Sequence, residues 1–166
     1  MDCPDGFMEF MSAAAPRLRR TAYLLCGDWH AAQDLTQATL VRVFVGWHRI
    51  RDPGSAPAYA QRTLVNGYLA GRRKKSSTEV VSGELADQAG PPGTADLRLV
   101  LMQALGILTP RARAVVVLRY WEDRSIDQVA ALLGCSAGNV TSQSARALAK
   151  LRAHLGDSWL ELCSAD

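Results

Sequence analysis

Asn139, Ser142, Gln143, Arg146 and Lys150 present amide, hydroxyl, guanidinium and ammonium groups at spacings that place them on one side of a helix. Such groups can pair with base edges and phosphates of duplex DNA, arginine with guanine, amides with adenine and lysine with the backbone. On the other side Val140, Ala147, Leu148 and Leu151 recur at helical spacing with Ser144 among them, a face for burial. Upstream, Ile126, Val129, Ala130 and Leu133 mark a shorter helix, Gly134 suits its left-handed end, and Ser136 can cap the next. Residues 125–155 therefore predict a helix-turn-helix with an outward recognition face, the geometry that seats a helix in the major groove. A plain helical hairpin with a solvated charged face is the alternative. The absence of Asp and Glu from Cys135 to Leu155 weighs against it, because solvated faces usually mix both signs.

A second set of cations lies far upstream. Arg72, Arg73, Lys74 and Lys75 form a run, whereas residues 76–96 hold Glu79, Glu84, Asp87 and Asp96 and no cation. The net charge of +3 hides this segregation, which suggests two contacts on one polyanion. With 166 residues, 48% hydrophobic and 21% charged, the chain can build one medium or two small cores. Its four cysteines are dispersed with no C-x-x-C pair, and Cys26 and His30, four apart, could share a helix face as half a metal site. No second pair completes that site, so no metal and no cofactor are expected. No signal peptide and no membrane-spanning segment are read, so a cytoplasmic protein with reduced thiols is expected.

The elements that must position these groups read as all-α: two small helical domains joined by a flexible linker. The first runs over residues 7–75, the Ser, Gly and Pro-rich linker over 76–95, and the second over 96–155. Residues 34–48 are apolar on two sides. Leu35, Ala38, Val41 and Val45 make one stripe, and Leu40, Val43, Phe44 and Trp47 another. Such a helix is either central to its lobe or docks one stripe on another protein. Residues 58–75 form a basic helix with Arg62, Asn66 and Arg73 in line, suited to nucleic acid or simply to solvent. In the second lobe the helices are expected over Leu97–Leu108, over 111–121 after the Thr109-Pro110 start, and then as the helix-turn-helix.

Taken in order, D-L-T-Q-A-T-L-V-R-V-F at 34–44, A-Y-A-Q-R-T-L-V-N-G-Y-L-A-G-R-R-K-K at 58–75 and L-T-P-R-A-R-A-V-V-V-L-R-Y-W through K-L-R at 108–152 resemble the sigma-70 family of bacterial RNA polymerase sigma factors. The small extracytoplasmic-function (ECF) type, with only the second and fourth conserved regions, is the closer likeness, and L-V-N-x-Y-L at 64–69 is similar to the SigE-like subgroup. The resemblance implies a non-enzymatic factor that binds core RNA polymerase and directs promoter-specific initiation at −10 and −35 elements. It implies core-polymerase contacts on the clamp helices through Leu40, Phe44 and Trp47 as anchors, with Val41, and Asp34 and Gln37 as polar edge contacts. It further implies that Arg62, Asn66 and Arg73, with the loop before them, capture the opened −10 strand, while Arg72, Lys74 and Lys75 meet phosphates. At −35 it implies Arg146 and Ser142 first, Asn139, Thr141 and Gln143 next, and Lys150 on phosphate. The family often carries Glu where Ala38 stands, a basic residue where Val65 stands, and Lys or Arg where Thr141 and Gln143 stand. An anti-sigma factor holding both lobes is an expected partner, and membrane insertion is not expected.

No catalytic site is read. There is no phosphate-binding Gly loop and no G-x-S-x-G elbow, and His30, His48 and His154 have no nucleophile or carboxylate arrangement around them. A stand-alone helix-turn-helix regulator explains the second lobe but leaves the helices at 34–48 and 58–75 without a task. A pure interaction module predicts weak DNA affinity with little salt dependence.

Overall fold

Asp28 sets the corner of the first lobe. Its carboxylate accepts the N–H of Ala31 at 2.8 Å, and Gly27 before it takes a left-handed φ of 79°. The chain thereby reverses from α1 (Phe7–Cys26) into α2 (Trp29–Gly46). Short 3₁₀ turns at Trp47–Arg49 and Pro53–Ser55 lead into α3 (Ala56–Ser76), and the three helices pack on one another. The computed structural model describes residues 4–76 and 94–156, with side chains for 4–75 and 97–156; most of the expected linker lies outside them. Because α1 ends at Cys26 and α2 begins at Trp29, Cys26 and His30 do not share a helix face as expected from their spacing.

The core of this lobe holds Leu25, Val43, Leu64 and Val65, all essentially inaccessible. Buried threonines join them on α2. Thr36 donates its hydroxyl to the Ala32 carbonyl at 2.7 Å, and Thr39 donates to Leu35 at 2.8 Å. A hydroxyl bonded back to its own helix carries no unmet polar demand, so it behaves in a core almost as valine does. The inward face of α2 is consequently Ala32, Thr36, Thr39 and Val43, which runs between the two apolar stripes expected from sequence and takes only Val43 from them. Val43 belongs to this inward face and not to the docking stripe in which the sequence placed it.

The flank carrying Phe44 and Trp47 meets the start of α1. Phe7 lies edge-on to Phe44 at 5.1 Å and to Trp47 at 5.3 Å, and Phe10 stands 5.2 Å from Trp47. The Trp47 indole donates Nε1–H to the Asp5 carbonyl at 3.1 Å. Each such ring pair adds roughly 0.5–1.5 kcal/mol beyond its buried area, so this cluster ties the chain's first helix to its second.

The second lobe begins with α4 (Thr94–Gly106), two residues before the expected boundary, followed by α5 (Pro110–Val116). Thr109 caps α5, its hydroxyl accepting from Ala112 at 3.3 Å, with Pro110 in the first turn. The helix expected over 111–121 does not continue as an α-helix; it widens into a π turn at Val117–Trp121, and Asp123 then takes a φ of 50°. Among the described residues all regular structure is helical.

α6 (Ile126–Leu133) and α7 (Ala137–Leu155) complete the lobe. Ser125 and Gln128 form a reciprocal capping box, at 3.1 Å from the Gln128 N–H to the Ser125 hydroxyl and 2.9 Å from the Ser125 N–H to the Gln128 side chain. Gly134 ends α6 at φ 61°, and the Ser136 hydroxyl accepts from Asn139 at 3.2 Å to start α7. Arg111 donates across to the Leu133 carbonyl at 3.2 Å, meeting one of the acceptors α6 leaves open at its end. Replacing Ser136 with Ala is expected to cost the second lobe about 1 kcal/mol, read as a lower urea midpoint with an unchanged slope.

Candidate nucleic-acid interface

Helix α7 is held by Val140, Ser144, Ala147, Leu151 and Leu155, all buried, with Leu148 half-buried beside them. Opposite that stripe stand Ser142 and Arg146, exposed, with Asn139 and Lys150 alongside and also exposed. Gln143 is half-buried and donates to the Asn139 side-chain oxygen, so these two amides act as one unit. Thr141 lies on the far flank of α7, away from Asn139, and donates its hydroxyl to the Ala137 carbonyl at 3.0 Å. Exposed Gly138, Ala145 and Ala149 flank Ser142 and Arg146, making that side of the helix low.

On α3, Ala60, Leu64, Val65 and Tyr68 are buried, and Arg62, Asn66 and Arg73 share an exposed line. Arg72, Lys74 and Lys75 are exposed at the same end, where cations also oppose the negative pole of the helix. One member of the line was not read from sequence. Tyr59 is 41% exposed and sits one turn before Arg62 and two before Asn66, a spacing of three and seven that its own sequence position already carried.

Beside Tyr59 the chain forms a cavity of about 570 Å³ lined by Gly46, Arg49, Ile50, Arg51, Asp52, Ser55 and Tyr59. The loop that walls it is braced internally. The Asp52 carboxylate accepts from the Gly54 N–H at 3.0 Å, and its carbonyl accepts from the Ser55 hydroxyl at 2.7 Å. A recess of this size, with one aromatic wall and two arginines at its margin, suits a flat anionic ligand such as an unstacked nucleotide.

A third surface is apolar. The side of α2 left open carries Asp34, Gln37, Ala38, Val41 and Val45, with Val41 61% and Val45 66% exposed. Of the residues expected to dock, Asp34, Gln37 and Val41 stand there. Leu40, Phe44 and Trp47 do not: all three are half-buried on another flank, where Phe44 and Trp47 meet Phe7 of α1. Among the described residues no three His, Cys, Asp or Glu side chains gather as metal ligands would, and no helix is long and apolar enough to cross a membrane.

Comparison with known proteins adds sequence likeness to this geometry. Family models described as Sigma-70 region 2 and Sigma-70, region 4 match residues 10–78 and 98–151. The RNA polymerase sigma-E factor of Streptomyces avermitilis is 41% identical over 152 residues, covering 90% of this chain and 84% of that protein. The ECF RNA polymerase sigma factor SigE of Mycolicibacterium smegmatis is 34% identical over 156 residues, covering 89% of this chain and 60% of that one. Among solved structures, the sigma factor RpoE held in complex with the anti-sigma factor NepR from Bartonella quintana shares the fold. It superposes with a TM-score of 0.79 at 24% identity, covering 93% of this chain and 99% of that chain.

Proposed function

The chain belongs to the sigma-70 family of RNA polymerase sigma factors, as an ECF-type factor that directs promoter-specific initiation, and from that premise we propose how its surfaces divide the work. The open stripe of α2 docks on core polymerase, with Val41 and Val45 as the apolar centre, Ala38 one turn before Val41, and Asp34 and Gln37 at the edge. Small apolar centres with polar rims are where protein interfaces concentrate their energy. Ala38 leaves this stripe flat where relatives often place a carboxylate. The family's role is not enzymatic; the polymerase makes the phosphodiester bonds and this chain chooses where.

At the −10 element α3 and its preceding loop capture the opened strand. Tyr59 stacks an unpaired base at the cavity mouth, Arg62 and Asn66 pair with exposed edges, and Arg49, Arg51, Arg72, Arg73, Lys74 and Lys75 meet phosphates. At the −35 element α7 enters the major groove, with Arg146 and Ser142 central, Asn139 and Gln143 acting together, Thr141 at the margin and Lys150 on phosphate. The RpoE likeness, solved with its anti-sigma factor, supports a protein inhibitor for this chain too. Its place is the cytoplasm, where the polymerase works.

The observation that carries the reading is that one chain pairs an exposed apolar stripe with two separate cationic faces, one beside a recess of nucleotide size. The test is reconstitution with sigma-free core polymerase and a promoter selected from a random duplex pool. Co-elution with core and a run-off transcript that depends on both promoter elements are expected. Tight specific duplex binding by the free protein, with no co-elution, would make it a stand-alone regulator instead.

A further inference from the structure

Gly46 ends α2 in a conformation that does not ask for glycine. Its φ of −85° and ψ of −4° are right-handed and open to any residue, and glycine is among the poorest helix formers. Space is what the position lacks. A Cβ there would stand 3.0 Å from the Tyr59 hydroxyl oxygen, 3.6 Å from Cζ and 3.7 Å from Cε1. The Tyr59 phenol therefore lies across the bare backbone of Gly46, and both residues line the same cavity.

We propose that Gly46 is a positioning residue for Tyr59: by carrying no side chain it lets the phenol lie down on α2, and so sets where that ring stands among the other residues that line the cavity. The proposal rests on the reading of this cavity as the seat of an unpaired −10 base. The backbone at Tyr59 is held by packing, since Ala56 and Ala60 on either side of it are buried in the first turns of α3. A methyl group at 46 meets the far end of the Tyr59 side chain, so the strain is relieved most easily by tilting the ring on its own side-chain torsions. Tilting moves the hydroxyl end away from Gly46 and changes the shape of the cavity that both residues line. Stacking falls off steeply with separation and misalignment, so a displacement of a few tenths of an ångström reaches the ligand. Gly46 acts through Tyr59 and determines how deep a base can enter.

The clash is centred on one atom, which gives the proposal its test. A single-stranded oligonucleotide is selected from a random pool by the wild-type protein bound to core polymerase. It then carries 2-aminopurine at each position in turn, and the position whose fluorescence changes on binding reports the captured base. Gly46→Ala, at saturating core and with helicity checked by circular dichroism, is expected to weaken oligonucleotide binding several-fold and diminish that signal. In a Tyr59→Phe background, where the hydroxyl is gone, the same Gly46→Ala change is expected to cost little. A purely local effect on the end of α2 is not rescued in this way. If Gly46→Ala costs the same in both backgrounds, or nothing in either, Gly46 does not position Tyr59. Tyr59→Ala separates the two levels: if it lowers the signal while Gly46→Ala does not, only the positioning role fails. If Tyr59→Ala leaves the signal intact, the base does not sit on this ring and both statements fall.

Discussion

Changing Val41 and Val45 together to Asp is expected to abolish co-elution with core polymerase while leaving the free protein folded. Both side chains are already mostly in water, 61% and 66% exposed, so the isolated lobe loses no core contact. Surface changes of this kind usually stay within about 0.5 kcal/mol, and Val and Asp are similar helix formers. In the complex the account reverses, because each carboxylate is driven into an apolar contact without a partner. A charge left unpaired at an interface costs about 2–5 kcal/mol, so two together weaken docking by roughly a thousandfold or more. Trp47→Ala is the contrasting variant. It removes the ring between Phe7 and Phe10 and the bond to the Asp5 carbonyl, so it acts first on stability. Trp47 is only half-buried, and the loss should be somewhat below the ~3–5 kcal/mol of a fully buried ring. Gel filtration with core polymerase and urea unfolding, run on both variants, separate the two roles. A folded Val41/Val45 variant that still co-elutes would move the docking surface off this side of α2.

That contrast also marks where the sequence could be read and where it could not. Capping residues announced themselves: Thr109 before Pro110, Gly134 and Ser136 stand where helices of the second lobe start and stop, whereas the Ser125–Gln128 capping box was not read from sequence. The buried stripe of α7 was legible because its members are aliphatic or small and recur every three to four residues. On α2 the same rule failed. Thr36 and Thr39 count as polar in a sequence, yet hydrogen bonds to Ala32 and Leu35 let them face the core. Leaving them out hid the inward face that lies between the two stripes, so periodicity alone could not show that Phe44 and Trp47 pack against α1. The rings they meet, Phe7 and Phe10, lie 37 to 40 residues away in sequence, beyond any local periodicity. Tyr59 was missed for a related reason: a tyrosine at helical spacing reads as core, and only the fold shows that its hydroxyl end lies on Gly46 while the residue stays 41% exposed. The π turn at Val117–Trp121 had no signal in residue type, since every residue in it is compatible with an α-helix.

Arg146→Ala is expected to cost roughly 5- to 150-fold in affinity for a duplex carrying the preferred −35 element, and much less for duplexes altered at the base pair it reads. The range follows from the ~1–3 kcal/mol that a bidentate arginine–guanine contact discriminates. Its place on α7 supports a base contact over a phosphate contact. Arg146 lies opposite the buried stripe, and Gly138, Ala145 and Ala149 beside it hold no long side chain that would keep the helix off the groove floor. A guanidinium on such a low face reaches base edges while the flanks are still clear of the backbone. Lys150, one turn further along, marks the opposite case. Lys150→Ala is expected to weaken all duplexes alike and to lower the slope of log affinity against log salt by about 1. Binding isotherms for the second lobe, held in place by core polymerase, on the selected element and on its single-base variants at two or more salt concentrations distinguish the two residues. Equal losses across all sequences for Arg146→Ala, with the salt slope reduced, would assign it to phosphate and shift base reading to Ser142 and the Asn139–Gln143 pair. The Asn139–Gln143 hydrogen bond makes those two amides a single reader, so removing either one should relax specificity at the same base pair.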